Sequence, residues 1–417
     1  MILVKDRLQQ EDTMHLTDEE QRMLDGEYGK TVQKCMKVLV ALGNIYGADH
    51  MIEVKNVHSP GVSYRVTGDA GLNYVKEASE DATFRVPMTL NTIGMDYENW
   101  EKIGFPKDFA EKQIELSKAY RKMGAIVTNT CTPYLCGNIP MLGEHVAWGE
   151  SSAIAFVNSV IGARTNREGG PTALAAAVTG RVPAYGYHLD ENRKGTHLIK
   201  VTIPLKTDKD FATLGYFTGK LVGAGVPVFE GITERPRMES LKALSAALAS
   251  SGAVALYHVI GITPEAHKKE DVIVKEVPEF TFDQDAYDKV QAKFNQHGPI
   301  DFVVIGCPHV SIREMNEIAD LVRGKHLKSA LWVCTSRMVR NLAEQMGFVK
   351  DIEDAGGEII CDTCPVLCYT LSDRGYKTVA TNSGKMAHYA PGHWNLEPVL
   401  LNMEECIRCA LDGKWEG

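Results

Sequence analysis

A strand that delivers a thiol and runs into a helix sets the frame for this chain. In Asp301-Phe-Val-Val-Ile-Gly-Cys-Pro-His-Val-Ser-Ile-Arg-Glu-Met315, the run from Phe302 to Ile305 is apolar and β-branched, as a buried parallel strand requires. Ser311 followed by Glu314 is a capping box, and helical periodicity continues to Val322. Cys307 is therefore expected in a turn at the carboxyl end of a strand, where α/β proteins gather ligands and catalytic groups. Two other stretches repeat the arrangement. Ala125-Ile-Val precedes Thr130-Cys131-Thr-Pro, and Gly357-Glu-Ile-Ile precedes Cys361-Asp-Thr-Cys364-Pro.

The remaining pattern alternates in the same way. Helices are expected from Thr17, at 32–46, at 108–122 and in the Ala-rich stretch 172–178, with a strand at 86–91 and a polar turn at 58–64. A strand at 200–205 opens a second series: helix 208–222, strand 226–229, helix 238–250 and strand 253–259. A polar excursion at 264–296 leads to a third series with strands at 330–334 and 358–360, and a helix at 398–411 begins at Pro398. Alternation of this kind implies parallel sheets. With 417 residues, more than one core is expected: a loose extension at 1–15 and α/β regions at 16–205, 206–299 and 300–417.

A net charge of −9 argues against nucleic acid or an acidic membrane as a partner. No apolar run reaches the ~20 residues of a membrane span, and the amino terminus lacks a secretory apolar core, so a cytoplasmic protein is expected. Ten cysteines at irregular spacing do not form a disulfide framework. Cys35, Cys334 and the Cys406/Cys409 pair read as core thiols. Cys131, Cys307 and Cys364 each follow a strand, singly, and better fit a cluster in a cleft. Three thiolates would leave one iron open as a Lewis acid. Arg164, Asn166, Arg167 and Glu168, between glycines, read as an anion-binding or site-supporting group. Lys385 reads as a lysine in an exposed turn, without a role of its own.

Several distinctive stretches alter that picture. They are Gly61-Val-Ser-Tyr64, Cys131-Thr-Pro-Tyr134, Gly143-Glu-His-Val-Ala-Trp-Gly-Glu-Ser-Ser152 and Gly162-Ala-Arg-Thr-Asn-Arg-Glu-Gly-Gly-Pro171. Ile305-Gly-Cys-Pro-His309, Asp362-Thr-Cys364 and Ser383-Gly-Lys385 complete the set. Through them the chain, from about Leu16 to about Gly392, resembles the large subunit of aconitase X proteins.

The resemblance implies an aconitase-like fold of three-layer α/β/α domains around a central cleft, and a hydro-lyase activity. It implies an iron–sulfur cluster, 4Fe–4S with one open iron, on Cys131, Cys307 and Cys364; Cys136 and Cys361 fall outside the matched positions. Gly61, Val62, Ser63, Asn91, Glu150, Ser151 and Lys385 would contact a small anionic substrate, with Thr92 added by adjacency. Of these, Glu150, Ser151 and Lys385 would be catalytic. The matched stretches use up the chain, so the small swivelling domain would be a separate subunit in a heterodimer and would supply the base. The implied substrate is (R)-5-phosphomevalonate, dehydrated to trans-anhydromevalonate 5-phosphate in an isoprenoid (mevalonate) pathway, with cis-3-hydroxy-L-proline as the alternative. A reading of another class, a non-catalytic iron–sulfur or zinc-binding subunit, would show an unresponsive cluster or zinc on metal analysis.

Overall fold

Three all-parallel sheets with helices packed on them carry the core of the computed structural model, which describes residues 14–417; two antiparallel strand pairs, Met51–Glu53 with Arg181–Pro183 and Gly298–Pro299 with Lys414–Trp415, stand apart from them. The first sheet holds β1 (Val57–Ser59), β2 (Met88–Leu90) and β3 (Ala147–Trp148), in the order β2-β1-β3. The second holds β4 (His197–Val201), β5 (Pro227–Glu230), β6 (His258–Val259) and β7 (Glu279–Phe282), in the order β6-β5-β4-β7. The third holds β8 (Phe302–Val310), β9 (Ala330–Thr335), β10 (Glu358–Cys361), β11 (Thr378–Thr381) and β12 (Glu397–Leu400), in the order β10-β9-β8-β11-β12.

The central strand of the third sheet explains its own sequence. Phe302, Val303, Val304 and Ile305 are all fully buried. The pleat sends Phe302 and Val304 into one hydrophobic cluster, and Val303 and Ile305 into another on the opposite face. A strand covered on both sides needs an unbroken apolar run, and each such side chain contributes about 1.5–3 kcal/mol by burial. At its far end Ser311 accepts from the Glu314 N–H while Glu314 accepts from the Ser311 N–H at 2.7 Å, and the helix Ile312–Val322 starts there.

Cys307 is not in a turn beyond the strand. It lies inside β8, where the register with β9 holds through Ile305↔Val333, breaks, and resumes at Val310↔Thr335. Gly306 makes the break with φ +112, and a Cβ there would stand 2.2 Å from the Cys334 carbonyl oxygen.

Other expectations also shift. Residues 125–127 give only an isolated bridge from Ile126 to Thr89, because Ile126 and Val127 face outward and lack the burial that would fix a strand. The expected strand at 253–259 pairs only at His258–Val259. Pro398 opens no helix: it sits in β12, and the helix Met403–Asp412 starts from an Asn402 cap. The strand placed at 200–205 is β4, which pairs with β5 and β7, so the second sheet begins ahead of residue 206. Of the expected extension at 1–15, residues 1–13 lie outside the described residues, and His15 bridges His50. Among the described residues no helix is long and apolar enough to cross a membrane.

Candidate functional site

The first sheet gathers loops at one edge. β1 runs out into Gly61–Ser63, β2 into Asn91 and Thr92, and β3 into Glu150 and Ser151, so seven expected substrate contacts follow the carboxyl ends of three adjacent parallel strands. Backbone bonds stitch these loops: Asn91 N–H donates to the Ser59 carbonyl at 3.0 Å, and Gly149 N–H to that of His58 at 3.0 Å. Gly61 has φ +69, and a Cβ there would stand 3.6 Å from the Gly170 Cα. Val62, Ser63 and Thr92 are buried, and the Ser63 hydroxyl has no hydrogen-bond partner in the chain. A buried hydroxyl left unpaired is what a site waiting for a ligand presents.

The third sheet offers a second edge. Cys307 stands in the break of β8, Cys364 in the turn after β10, and Lys385 in the first turn of the helix Gly384–Trp394 that follows β11. The turn after β10 passes through Asp362 at φ +65, a conformation aspartate tolerates better than most residues. Its carboxylate is held by Arg337 at 2.6 Å, and Arg337 also grips Asp96 at 2.7 Å. Asp96 in turn accepts from the Cys361 N–H at 2.9 Å. The two edges are joined where Ile93 N–H donates to the Asp362 carbonyl at 2.8 Å.

Lys385 is not the exposed lysine expected from sequence. Its Nζ lies 2.6 Å from Glu150 Oε1 and 3.2 Å from Ser151 Oγ, at 9% exposure, so an ion pair bridges the two sheet edges. Glu150 N-caps the helix Ser151–Phe156, accepting from Ala153 N–H at 2.7 Å and from Ser152 Oγ at 2.6 Å. Burial opposes its ionisation, but the Lys385 charge and these hydrogen bonds outweigh burial and hold the carboxyl at about 2. Lys385 is likewise held charged: burial works against it, while Glu150 and the nearby thiols raise it.

Cys131, Cys307 and Cys364 are buried around this lysine. Burial pushes the Cys307 thiol up to about 12, and pushes Cys131 and Cys364 up as well; the Lys385 charge opposes the rise at all three. Cys364 also interacts electrostatically with both other thiols. Cys131 Sγ accepts from the His309 N–H at 3.3 Å. Among the described residues no three Cys, His, Asp or Glu side chains stand close enough to hold one metal ion. Three soft donors that all feel the Lys385 charge have the chemistry to hold a polynuclear group in which each metal atom takes one thiolate.

Of the arginine group, Arg164 pairs with Asp190, Arg167 donates to the Ala253 carbonyl at 2.9 Å, and Asn166 ties the backbone of Tyr185 and Tyr187, so neither arginine is bonded to the site; Glu168 is buried behind it, its N–H donating to the Trp148 carbonyl at 3.0 Å. Cys136 donates to Ser336 Oγ at 3.3 Å. Sequence reasoning passed over Thr130, His309 and Thr363, although each lies within two residues of a site thiol. It also passed over Tyr134, whose ring stacks on Phe156 and whose buried hydroxyl has no partner.

Comparison with known proteins identifies the family and the fold. Models of the aconitase X first, second and third domains match residues 13–191, 195–292 and 300–412. The phosphomevalonate dehydratase large subunit of Methanocaldococcus jannaschii is 44% identical, covering 95% of this chain and 100% of that one. The cis-3-hydroxy-L-proline dehydratase of Pseudomonas aeruginosa is 35% identical, covering 95% of this chain but 70% of its own. The crystal structure of Thermococcus kodakaraensis aconitase X in its holo-form superposes with a TM-score of 0.87 at 43% identity, covering 95% of this chain and 100% of that one. With all three domains matched in order and the aconitase-like α/β fold reproduced, the chain belongs to the aconitase X family.

Proposed function

We propose that this chain is the large, catalytic subunit of a cytoplasmic iron–sulfur hydro-lyase that dehydrates (R)-5-phosphomevalonate to trans-anhydromevalonate 5-phosphate. The observation that carries the hydro-lyase reading is the Lys385–Glu150 pair, buried between two loop-bearing sheet edges and facing three convergent thiols. The substrate reading rests on full-length identity of 44% to a relative named for phosphomevalonate, against 35% to one named for cis-3-hydroxy-L-proline.

Cys131, Cys307 and Cys364 would hold a 4Fe–4S cluster, which when bound supplies an open Lewis-acid position for the leaving hydroxyl. The rest falls to the chain. Lys385 is a fixed charge for an anionic group of the substrate, and the unpaired Ser63 hydroxyl with the backbone at Gly61 and Val62 completes that anchor. Asn91, Thr92 and Ser151 line the same edge and orient the remaining polar atoms. Glu150, ionised and already accepting from Ser152 and Ala153, serves as an acceptor that orients Lys385 and the departing water rather than as a proton donor.

The base that removes the proton belongs, in this reading, to a separate small subunit. The M. jannaschii relative is named a large subunit, and the P. aeruginosa relative is longer, this chain spanning 70% of it. Ile126, Val127, Ile139, Met141 and Leu142 are exposed apolar side chains on either side of the Cys131 segment, and the small subunit would cover them.

The test is anaerobic co-expression with the small subunit, then incubation with phosphomevalonate and, separately, cis-3-hydroxy-L-proline, following loss of water by mass spectrometry. Turnover of phosphomevalonate alone is expected. Turnover of the proline alone would move the substrate reading, and turnover of neither by cluster-loaded enzyme would overturn both.

A further inference from the structure

The three thiols arrive on segments far apart in the chain, around residues 131, 307 and 364, and one side chain touches all three segments. His309 is fully buried two residues after Cys307, on the same break in β8. Its backbone N–H donates to Cys131 Sγ at 3.3 Å. Its ring Nδ1 lies 3.0 Å from Thr130 Oγ1, beside Cys131, and its Nε2 lies 2.8 Å from the carbonyl of Thr363, beside Cys364. A carbonyl only accepts, so Nε2 donates to it; burial favours the neutral ring, in which Nδ1 accepts from the Thr130 hydroxyl. Thr130 Oγ1 in turn accepts from the Thr132 N–H at 3.2 Å. On the far side, Lys242 Nζ donates to the His309 carbonyl at 3.0 Å and fixes the backbone.

We infer that His309 is the positioning residue of the thiol centre: its ring, bonded on opposite edges to the Cys131 and Cys364 loops, fixes the spacing of the three thiols in the metal-free chain. Imidazole suits this task because one rigid plane offers an acceptor on one edge and a donor on the other. Glutamine can replace the Nε2 donor but takes from the Thr130 hydroxyl its Nδ1 acceptor. The inference rests on the cluster reading of the site, yet it concerns the protein's own bonds.

The experiment uses the full chain as wild type, His309→Ala and His309→Gln. In the metal-free, reduced state, modification by a chromogenic disulfide reagent is timed and mapped to individual cysteines by peptide mass. In parallel, iron and sulfide are counted after anaerobic reconstitution, and electron paramagnetic resonance is recorded. For His309→Ala, with circular dichroism unchanged, Cys131 and Cys364 are expected to react about tenfold faster, in line with the loss of a buried hydrogen bond. Bound iron should fall well below the wild-type count. His309→Gln should restore protection at Cys364 and not at Cys131. Wild-type thiol rates and iron content in His309→Ala would overturn the inference. Should that variant fail to fold, Thr130→Val removes one hydroxyl while keeping its shape; faster modification confined to Cys131 supports the inference, and no change overturns it. A wild-type chain that takes up no iron would end the cluster reading, while the thiol rates would still decide the role of His309.

Discussion

Two buried lysine–glutamate pairs lie close to the thiols, and they have opposite characters. Lys242 and Glu314 form a closed pair: the lysine also donates to the His309 carbonyl, and the carboxylate also accepts from the Ser311 N–H at 2.7 Å. Every remaining bond goes to the protein's own frame. Lys385 and Glu150 are as deeply buried, but around them stand Ser151, Ser152 and the thiols of Cys131, Cys307 and Cys364. Thiols can ionise and hydroxyls can bond a ligand, whereas the remaining partners of Lys242 and Glu314 are backbone groups. Burying an ion pair is costly in both places and is offset only when each charge is fully bonded. The first pair spends that cost on holding a backbone; the second holds a fixed charge where chemistry is expected.

Single substitutions should separate the two pairs. The largest effect is expected from Lys385→Met: burial then acts on Glu150 without its counter-charge, the carboxyl takes up a proton, and turnover per bound iron falls about a hundredfold to a thousandfold. Steady-state assays normalised to iron would check it, and an equal loss in Lys242→Met would erase the contrast. Lys242→Met should instead lower stability by about 3–5 kcal/mol, because Glu314 is left buried and unpaired. Chemical denaturation would show this, with turnover per bound iron changing less than about tenfold. A subtler test uses acid. The Glu150 carboxyl is depressed from 4.5 to about 2 in the folded chain. Its contribution, about 3 kcal/mol, is therefore complete above pH 4.5 and lost as pH falls toward 2. Stability curves of wild type and Lys385→Met should converge across that window; parallel curves would show that Glu150 is not held ionised by this lysine.

The sequence made the fold class legible because buried parallel strands leave continuous apolar runs, as at Phe302–Ile305, and because helix starts carry caps, as at Ser311/Glu314. It also placed the helix Asp208–Val222 residue for residue. What it lost depended on tertiary surroundings. Lys385 reads as exposed until the Gly384–Trp394 helix is seen packed on its neighbours, with Gly384 so close to Ala247 that a Cβ would stand 3.0 Å from its methyl. The arginines at 164 and 167 have the residue types of an anion site, but their partners, Asp190 and the Ala253 carbonyl, are far along the chain. The role of His309 is invisible for the same reason, since Thr130 and Thr363 lie 179 and 54 residues away. The Cys406/Cys409 pair shows the converse: its spacing resembles a metal knuckle, yet both thiols are packed in the hydrophobic core of the third sheet.

The break in β8 has a thermodynamic consequence. The residues between Ile305 and Val310 leave the ladder and rejoin it on the same neighbouring strand, so this short detour is tethered at both ends by sheet hydrogen bonds. A free loop would surrender conformational entropy, about 1–2 kcal/mol per residue, when fixed around a bound group. A loop stretched between two points of a buried strand gave up that freedom when the sheet formed. In the proposed centre Cys307 would then bind a ligand with little further ordering cost, and the sheet itself would raise the affinity.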